Sequence, residues 1–155
     1  MMRPVADKLW FNIFDACLRR QFEEIAVDMF DLMVSKYIPC SSHQLTSLLI
    51  LVQEKRSYEE AMRFLDKAVA VGMEPTVHNF SPLLKACGSA KRARQILARM
   101  QLCKVEPNVI SFSAAIKSCE QTGDWRSSIE LLELMKAYGV APNEITYCCI
   151  ISAGE

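Results

Sequence analysis

A chain of 155 residues, 51% of them hydrophobic, is long enough to bury a core and too apolar to stay disordered. Eighteen Lys and Arg balance eighteen Asp and Glu. The strong basic excess of a tight non-specific nucleic-acid binder is therefore absent, although a local basic strip is not excluded. The apolar run at 45–52 is far short of the ~20 residues a membrane span needs and stops at charge. Seven cysteines, odd in number and without a CxxC pair, argue against a disulfide framework or a zinc site and favour a reducing compartment. The N-terminal MMRPVADKLWF has neither a signal-peptide core nor a transit-type region, so any targeting segment is expected outside this chain.

In chain order, the first predicted helix covers about 8–19. The second, 22–36, places Phe22, Ile25, Ala26, Met29, Phe30 and Met33 at i, i+3, i+4, i+7 spacing, with acids and bases opposite. A less charged helix follows at 43–54. The helix at 58–72 carries its apolar stripe on Tyr58, Ala61, Met62, Leu65, Ala68 and Val69. Segment 78–87 is a shorter helix, because ACGSAK leaves less room there than SCEQTGDW does one unit later. Next come a helix with Ala93, Ile96, Leu97 and Met100 and one at 110–121. Another, from Trp125, places Trp125, Ile129, Leu132, Met135 and Tyr138 inward. ITYCCII near the end alternates like a strand but is read as helix, because its counterpart ISFSAAIKSC runs on with helical spacing.

Proline marks a period. Pro39, Pro75, Pro107 and Pro142 are 36, 32 and 35 residues apart and close the phrases SKYIPC, AVGMEPT, LCKVEPN and AYGVAPN. Gly72 and Gly139, three residues before their prolines, read as left-handed C-caps; Lys36 and Lys104 take that place at the other exits, which should be weaker. Tyr37, Met73, Val105 and Val140 stand two before each proline. The fold class is all-α: an α-solenoid of about four helix–turn–helix repeats at 7–40, 42–76, 77–108 and 109–143, with a partial fifth at 144–155.

These units resemble the pentatricopeptide repeat family. VISFSAAIKSCEQTGDWRSSIELLELMKAYGVAPN carries its marks at Phe112, Met135, Gly139, Pro142 and Asn143, and the preceding unit at Phe80, Met100, Pro107 and Asn108. The 42–76 unit has Leu45 in the aromatic slot and Ala68 in the Met slot, and the first unit matches least. The Trp…Leu-Gly…Tyr pattern of tetratricopeptide repeats is not found.

The resemblance implies single-stranded RNA binding, one base per repeat, read by side chains on the concave face of the first helices. By register it assigns the base-edge contact to Ser113, Ser81 and Thr46, with partners Asn143, Asn108 and Thr76. It assigns the wedge against the base to Ile110, with His78 and His43 in that place in earlier units; Cys148 and Ile145 would begin a further site. The Ser–Asn combination resembles the one that favours adenine. It further implies action in a mitochondrion or plastid, in the processing, stability, editing or translation of an organellar transcript, with protein partners also conceivable and no membrane role. No cofactor, metal or catalytic group is implied.

Blander readings stand beside these. Asn108 and Asn143 equally suit helix N-caps, and the histidines suit solvated helix starts. Cys17, Cys87 and Cys119 share a slot with Val52, which reads as a small buried position. The basic run KRARQ reads as a solvated helix face, with phosphate contact as the alternative, and Trp10 and Trp125 read as interhelix packing. No phosphate-cradling glycine loop, deaminase signature or acid cluster points to an enzyme. A protein-binding helical scaffold and a truncated piece of a longer repeat protein stay open as alternatives.

Overall fold

The computed structural model describes residues 4–38, 40–55 and 57–154. Pro39 of the proline period, residues 1–3 and Glu155 lie outside them. Among the described residues all regular structure is helical: α1 (Pro4–Arg19), α2 (Glu23–Ser35), α3 (Ser42–Lys55), α4 (Tyr58–Ala70), α5 (Val77–Lys85), α6 (Ala90–Leu102), α7 (Val109–Gln121), α8 (Trp125–Ala137) and α9 (Glu144–Ser152). The ambiguous ITYCCII is helical, and α5 is cut to 9 residues where α7 has 13. None of these helices is long and apolar enough to cross a membrane. The chain divides into two compact units, Met1–Pro75 and Thr76–Glu155.

Within the first unit α1 pairs with α2 and α3 with α4, and α3 also packs on both α1 and α2. Phe30 joins the repeats: its ring centroid lies 6.4 Å from Phe14 and 5.6 Å, edge-on, from Phe64. Outside that seam Lys67 and Asp31 form an exposed ion pair at 2.6 Å, which at such exposure adds little. Within the second unit α5, α7 and α9 stack side by side as one layer and α6 packs on α8 as the other.

The second helices share a buried pattern. Ala26, Ala61, Ala93 and Ser128 occupy equivalent positions, and Met33, Ala68, Met100 and Met135 follow seven residues later; all are almost wholly buried. A small residue in the first slot lets the neighbouring backbone come close, and the residue two turns on fills the space beyond. The stripe expected for α8 is displaced. Ser127, Ser128, Leu131 and Met135 are buried, whereas Ile129 is exposed and Trp125 is 47% exposed with the Arg126 guanidinium 5.4 Å from its ring centre. The reason is polar. Ser127 Oγ accepts the Ala90 backbone N–H at 3.0 Å and donates to Asp124 Oδ2 at 2.6 Å, so Ser127 rather than Trp125 or Ile129 meets α6, while buried Ser128 donates to the Asp124 carbonyl one turn back at 3.4 Å.

Further polar contacts close the same seam. Gly88 N–H donates to Ser118 Oγ at 2.7 Å, and Thr122 Oγ1 donates to the Gly88 carbonyl at 3.1 Å. The cysteine slot is buried throughout, at Cys17, Val52, Cys87 and Cys119. Hydrogen bonding between the Cys87 and Cys119 thiols pulls Cys87 down to about 7 and pushes Cys119 up.

Each exit uses one device. A residue with positive φ (Tyr37, Gly72, Lys104 or Gly139) is followed by an N–H that reaches back to the helix: Ile38 to Met33 O, Met73 to Ala68 O, Val105 to Met100 O and Val140 to Met135 O. This is the Schellman arrangement. At the first exit the left-handed residue is Tyr37 (φ 54), not Lys36, because α2 ends at Ser35 and Lys36 serves as its C-cap. Ile38, rather than Tyr37, therefore takes the apolar place held elsewhere by Met73, Val105 and Val140.

Two predictions follow from the joints. Lys104 (φ 59) occupies a conformation that disfavours a Cβ. Lys104→Gly should stabilise the chain by about 0.5–1 kcal/mol after the greater freedom of glycine in the unfolded chain is subtracted; an unchanged or lower urea midpoint would refute this. The second concerns Asp124, whose carboxyl is held below its usual range by the Ser127 hydroxyl and then by the Ser127 backbone N–H. Its stabilisation is present above the unfolded value of about 3.9 and is lost as pH falls through the folded one. The stability advantage of wild type over Asp124→Asn should accordingly shrink between pH 6 and pH 3, measured as urea midpoints.

Candidate nucleic-acid interface

The site grows out of how the first helix of each repeat starts. Ser41, Thr76, Asn108 and Asn143 are the N-cap positions of α3, α5, α7 and α9, and each is matched by a polar residue three positions on: Gln44, Asn79, Ser111 and Thr146. The exchange is reciprocal. Asn143 Oδ1 accepts the Thr146 N–H at 3.0 Å while Thr146 Oγ1 accepts the Asn143 N–H at 3.4 Å; Asn108 and Ser111 repeat this at 3.1 and 3.5 Å. These capping boxes satisfy backbone donors that a helix start leaves open. Gln44, Asn79, Ser111 and Thr146 are all buried.

The cap reading of Asn108 and Asn143 is thus what the structure shows for their Oδ1 atoms. It does not use up the side chains. Both residues are exposed, and neither Nδ2 has a protein acceptor among the described residues.

Two and five positions after each cap stand the other candidates. Ile110 is 65% exposed, Ile145 61%, and His43 and His78 are exposed as well. Four large side chains at equivalent helix starts face solvent. Thr46, Ser81 and Ser113 are half-buried, and Cys148 is exposed. Residues three apart lie on one helix face, so Ile110 flanks Ser113 and His78 flanks Ser81.

The hydroxyls differ in what they do. Thr46 Oγ1 donates to the Ser42 carbonyl at 2.9 Å and Ser81 Oγ to the Val77 carbonyl at 3.2 Å, both one turn back in their own helix. Ser113 Oγ instead lies 3.3 Å from Thr146 Oγ1 in the next repeat, and Thr146 Oγ1 donates to Asn143 Oδ1 at 2.9 Å. Ser113 and Asn143 are therefore brought together through Thr146. Ser81 and Asn108 sit in the same unit at equivalent places without such a bridge. Thr46 and Thr76 fall in different units.

Thr146 is the residue that sequence reasoning missed. Its only signal was its place three residues after Asn143, where a capping box needs a polar partner. The run KRARQ lies on α6 with Lys91, Arg92 and Arg94 exposed; Arg94 pairs with Glu130 of α8 at 3.0 Å. Among the described residues no cluster of His, Cys, Asp or Glu has the makings of a metal site.

Comparison with known proteins bears on the fold and the family. A profile described as "Pentatricopeptide repeat domain" matches residues 28–90 and 88–122, and one described as "PPR repeat family" matches 107–153. A curated pentatricopeptide repeat-containing protein of Arabidopsis thaliana is 28% identical over 153 residues, 98% of this chain but 15% of the relative. The chain thus spans about a seventh of that relative's length. Among solved structures, the pentatricopeptide repeat protein PPR10 from maize aligns over 93% of this chain and 21% of its own with a TM-score of 0.72 at 19% identity. The PPR domain of Arabidopsis thaliana protein-only RNase P 1, solved in complex with tRNA, aligns over 95% and 79% with a TM-score of 0.68 at 16% identity. The helical-repeat fold, the capped period and the profile matches across most of the sequence lead to one conclusion: this chain belongs to the pentatricopeptide repeat family.

Proposed function

We propose that this chain binds single-stranded RNA, one base per repeat, through repeats at 7–40, 42–76, 77–108 and 109–143 and a partial fifth from 144. The observation that carries this reading is the Ser113–Thr146–Asn143 chain beside exposed Ile110. A hydroxyl and an amide stand ready for a base edge, and an aliphatic side chain for its face. A solved relative, the PPR domain of protein-only RNase P 1, was captured with tRNA, which supports RNA as the ligand class. Ser81, Asn108 and His78 form the preceding site. Two consecutive Ser–Asn sites favour two consecutive adenines. Roughly four bases are too few to specify one transcript, so an address requires further repeats or a partner. The setting is a mitochondrion or plastid, and the role is the processing, stability, editing or translation of an organellar transcript, by occlusion or recruitment rather than catalysis.

A second reading, a protein-binding scaffold, draws on a different surface. In the first unit Ile13, Phe22 and Ile25 are each about half exposed around an apolar groove of about 420 Å³, the kind of patch that marks a protein contact.

Gel shifts with A-rich and U-rich oligonucleotides test the RNA reading, with a substitution chosen to spare the cap. Asn143→Ala removes the cap acceptor and should cost about 1 kcal/mol of stability. Asn143→Asp keeps that acceptor and replaces the Nδ2 donor with an acceptor, so it should fold like wild type. The expected result is tighter binding of the A-rich strand by wild type and loss of that preference in Ser113→Ala/Asn143→Asp. Equal binding of both strands by wild type would overturn the assignment; denaturation midpoints of the two Asn143 variants check the cap independently.

A further inference from the structure

The densest positive cluster, on α6, does not lie on the helix face just described; two isolated lysines do. Positions 110, 113 and 117 of α7 follow i, i+3, i+7 spacing, as do 78, 81 and 85 of α5, so Lys117 and Lys85 continue the faces of Ile110–Ser113 and His78–Ser81. Both lysines are exposed. Neither has an ion-pair partner among the described residues. Helices α5 and α7 are direct neighbours, so the two ammonium groups belong to one surface. The corresponding position is Ile50 in α3 and Ser152 in α9. Among α3, α5, α7 and α9 a charged residue stands at this slot only in the two repeats whose first helices carry Ser81 and Ser113. In α1 the register of Cys17 with Cys87 and Cys119 puts Asp15, paired with Arg19, at the same place.

A lysine in a helix's last turn is ordinarily explained by the dipole, and Lys85 ends α5. That explanation does not extend to Lys117, which lies four residues before the end of α7. The acid nearest in register is Glu120, which with Lys117 acts on the Cys149 thiol of α9; no ion pair joins the two.

We propose that Lys85 and Lys117 are the phosphate contacts of this surface, one per repeat, holding the backbone of a single-stranded RNA while Ser81/Asn108 and Ser113/Asn143 meet its bases. Four residues, ~6 Å of helix rise, separate each lysine from its serine, and the lysine stem extends that reach toward the backbone. The inference rests on the RNA-binding reading and adds which charges do the work: two lone lysines rather than the α6 cluster.

Salt dependence decides it. Two phosphate contacts to a single strand give a slope of log K against log salt of about −1.4, or about a sevenfold loss of affinity from 50 to 200 mM. Binding of an A-rich oligonucleotide should be measured across that range for wild type, Lys85→Gln, Lys117→Gln, the double variant, and a control double variant, Lys91→Gln/Lys136→Gln, on α6 and α8. Glutamine is close to lysine in helix propensity, so folding should be retained, and circular dichroism verifies it. Each single variant should halve the slope, the double variant should nearly abolish it, and the control should keep the wild-type slope. The A-over-U preference should persist in the double variant at low salt. A wild-type slope in the double variant, or a flattened slope in the control, overturns the lysine assignment while leaving RNA binding in place. Absence of RNA binding by wild type at 50 mM salt overturns both.

Discussion

Everything in this fold depends on helices coming close enough to bury faces that no single pair can bury by itself. The second helices solve this with a thin residue at one recurring place, Ala26, Ala61, Ala93 and Ser128, each with almost no exposed surface. Where that residue is alanine the contact is apolar. Where it is Ser128, preceded by buried Ser127, the approach is close enough for a side-chain hydroxyl to accept the first N–H of α6. The two units join their repeats differently as a result. The first relies on the Phe14–Phe30–Phe64 rings, and the second on hydroxyls and backbone around Gly88 and Ala90. Aromatic contact tolerates small slippage, whereas hydrogen bonds hold register, and the second unit is where the Ser–Asn positions lie.

Placement of the candidate site follows from the same economy of parts. A chain that leaves one repeat through a Schellman turn must start the next helix within a few residues, and that start needs an acceptor for its free N–H groups. Asn108 and Asn143 supply it with Oδ1, and as exposed residues they leave Nδ2 without a protein acceptor among the described residues. Buried Ser111 and Thr146 return the bond, and Thr146 extends it to Ser113 of the preceding repeat. A residue proposed to meet a ligand is therefore held by the fold, and its geometry is set before any ligand arrives.

Much of this was legible in the residues. Apolar spacing of 3.6 located the second helices, likeness between repeats located α9, and the shortened link ACGSAK foretold that α5, 9 residues long, would be trimmed. The failures share a cause: each is a place where a polar or bulky residue does what its type usually avoids. Tyr37 adopts the left-handed conformation that its neighbour Lys36 was expected to take. Ser127 and Ser128 are buried and displace the expected stripe of α8, because a hydroxyl with partners can replace a methyl in a tight seam. Asn79, Ser111 and Thr146 are wholly buried although residues of their kind usually lie outside. Of the site, the cap positions and exposed isoleucines could be read from the period. The link from Ser113 to Asn143 could not, since it depends on how two helices from different repeats sit against each other.

The capping role of Asn108 and Asn143, set beside the base contact proposed for them, bears on how such a chain can change over generations. An asparagine codon is one nucleotide away from codons for aspartate, serine and threonine, and all three residues cap helices well. Single mutations can thus alter the donor or acceptor displayed at these points while the joint stays closed. Ser41 and Thr76, at the same place in earlier repeats, show the alternatives already in use. The group displayed at these helix starts is free to drift along a path on which each step keeps a capping residue in place.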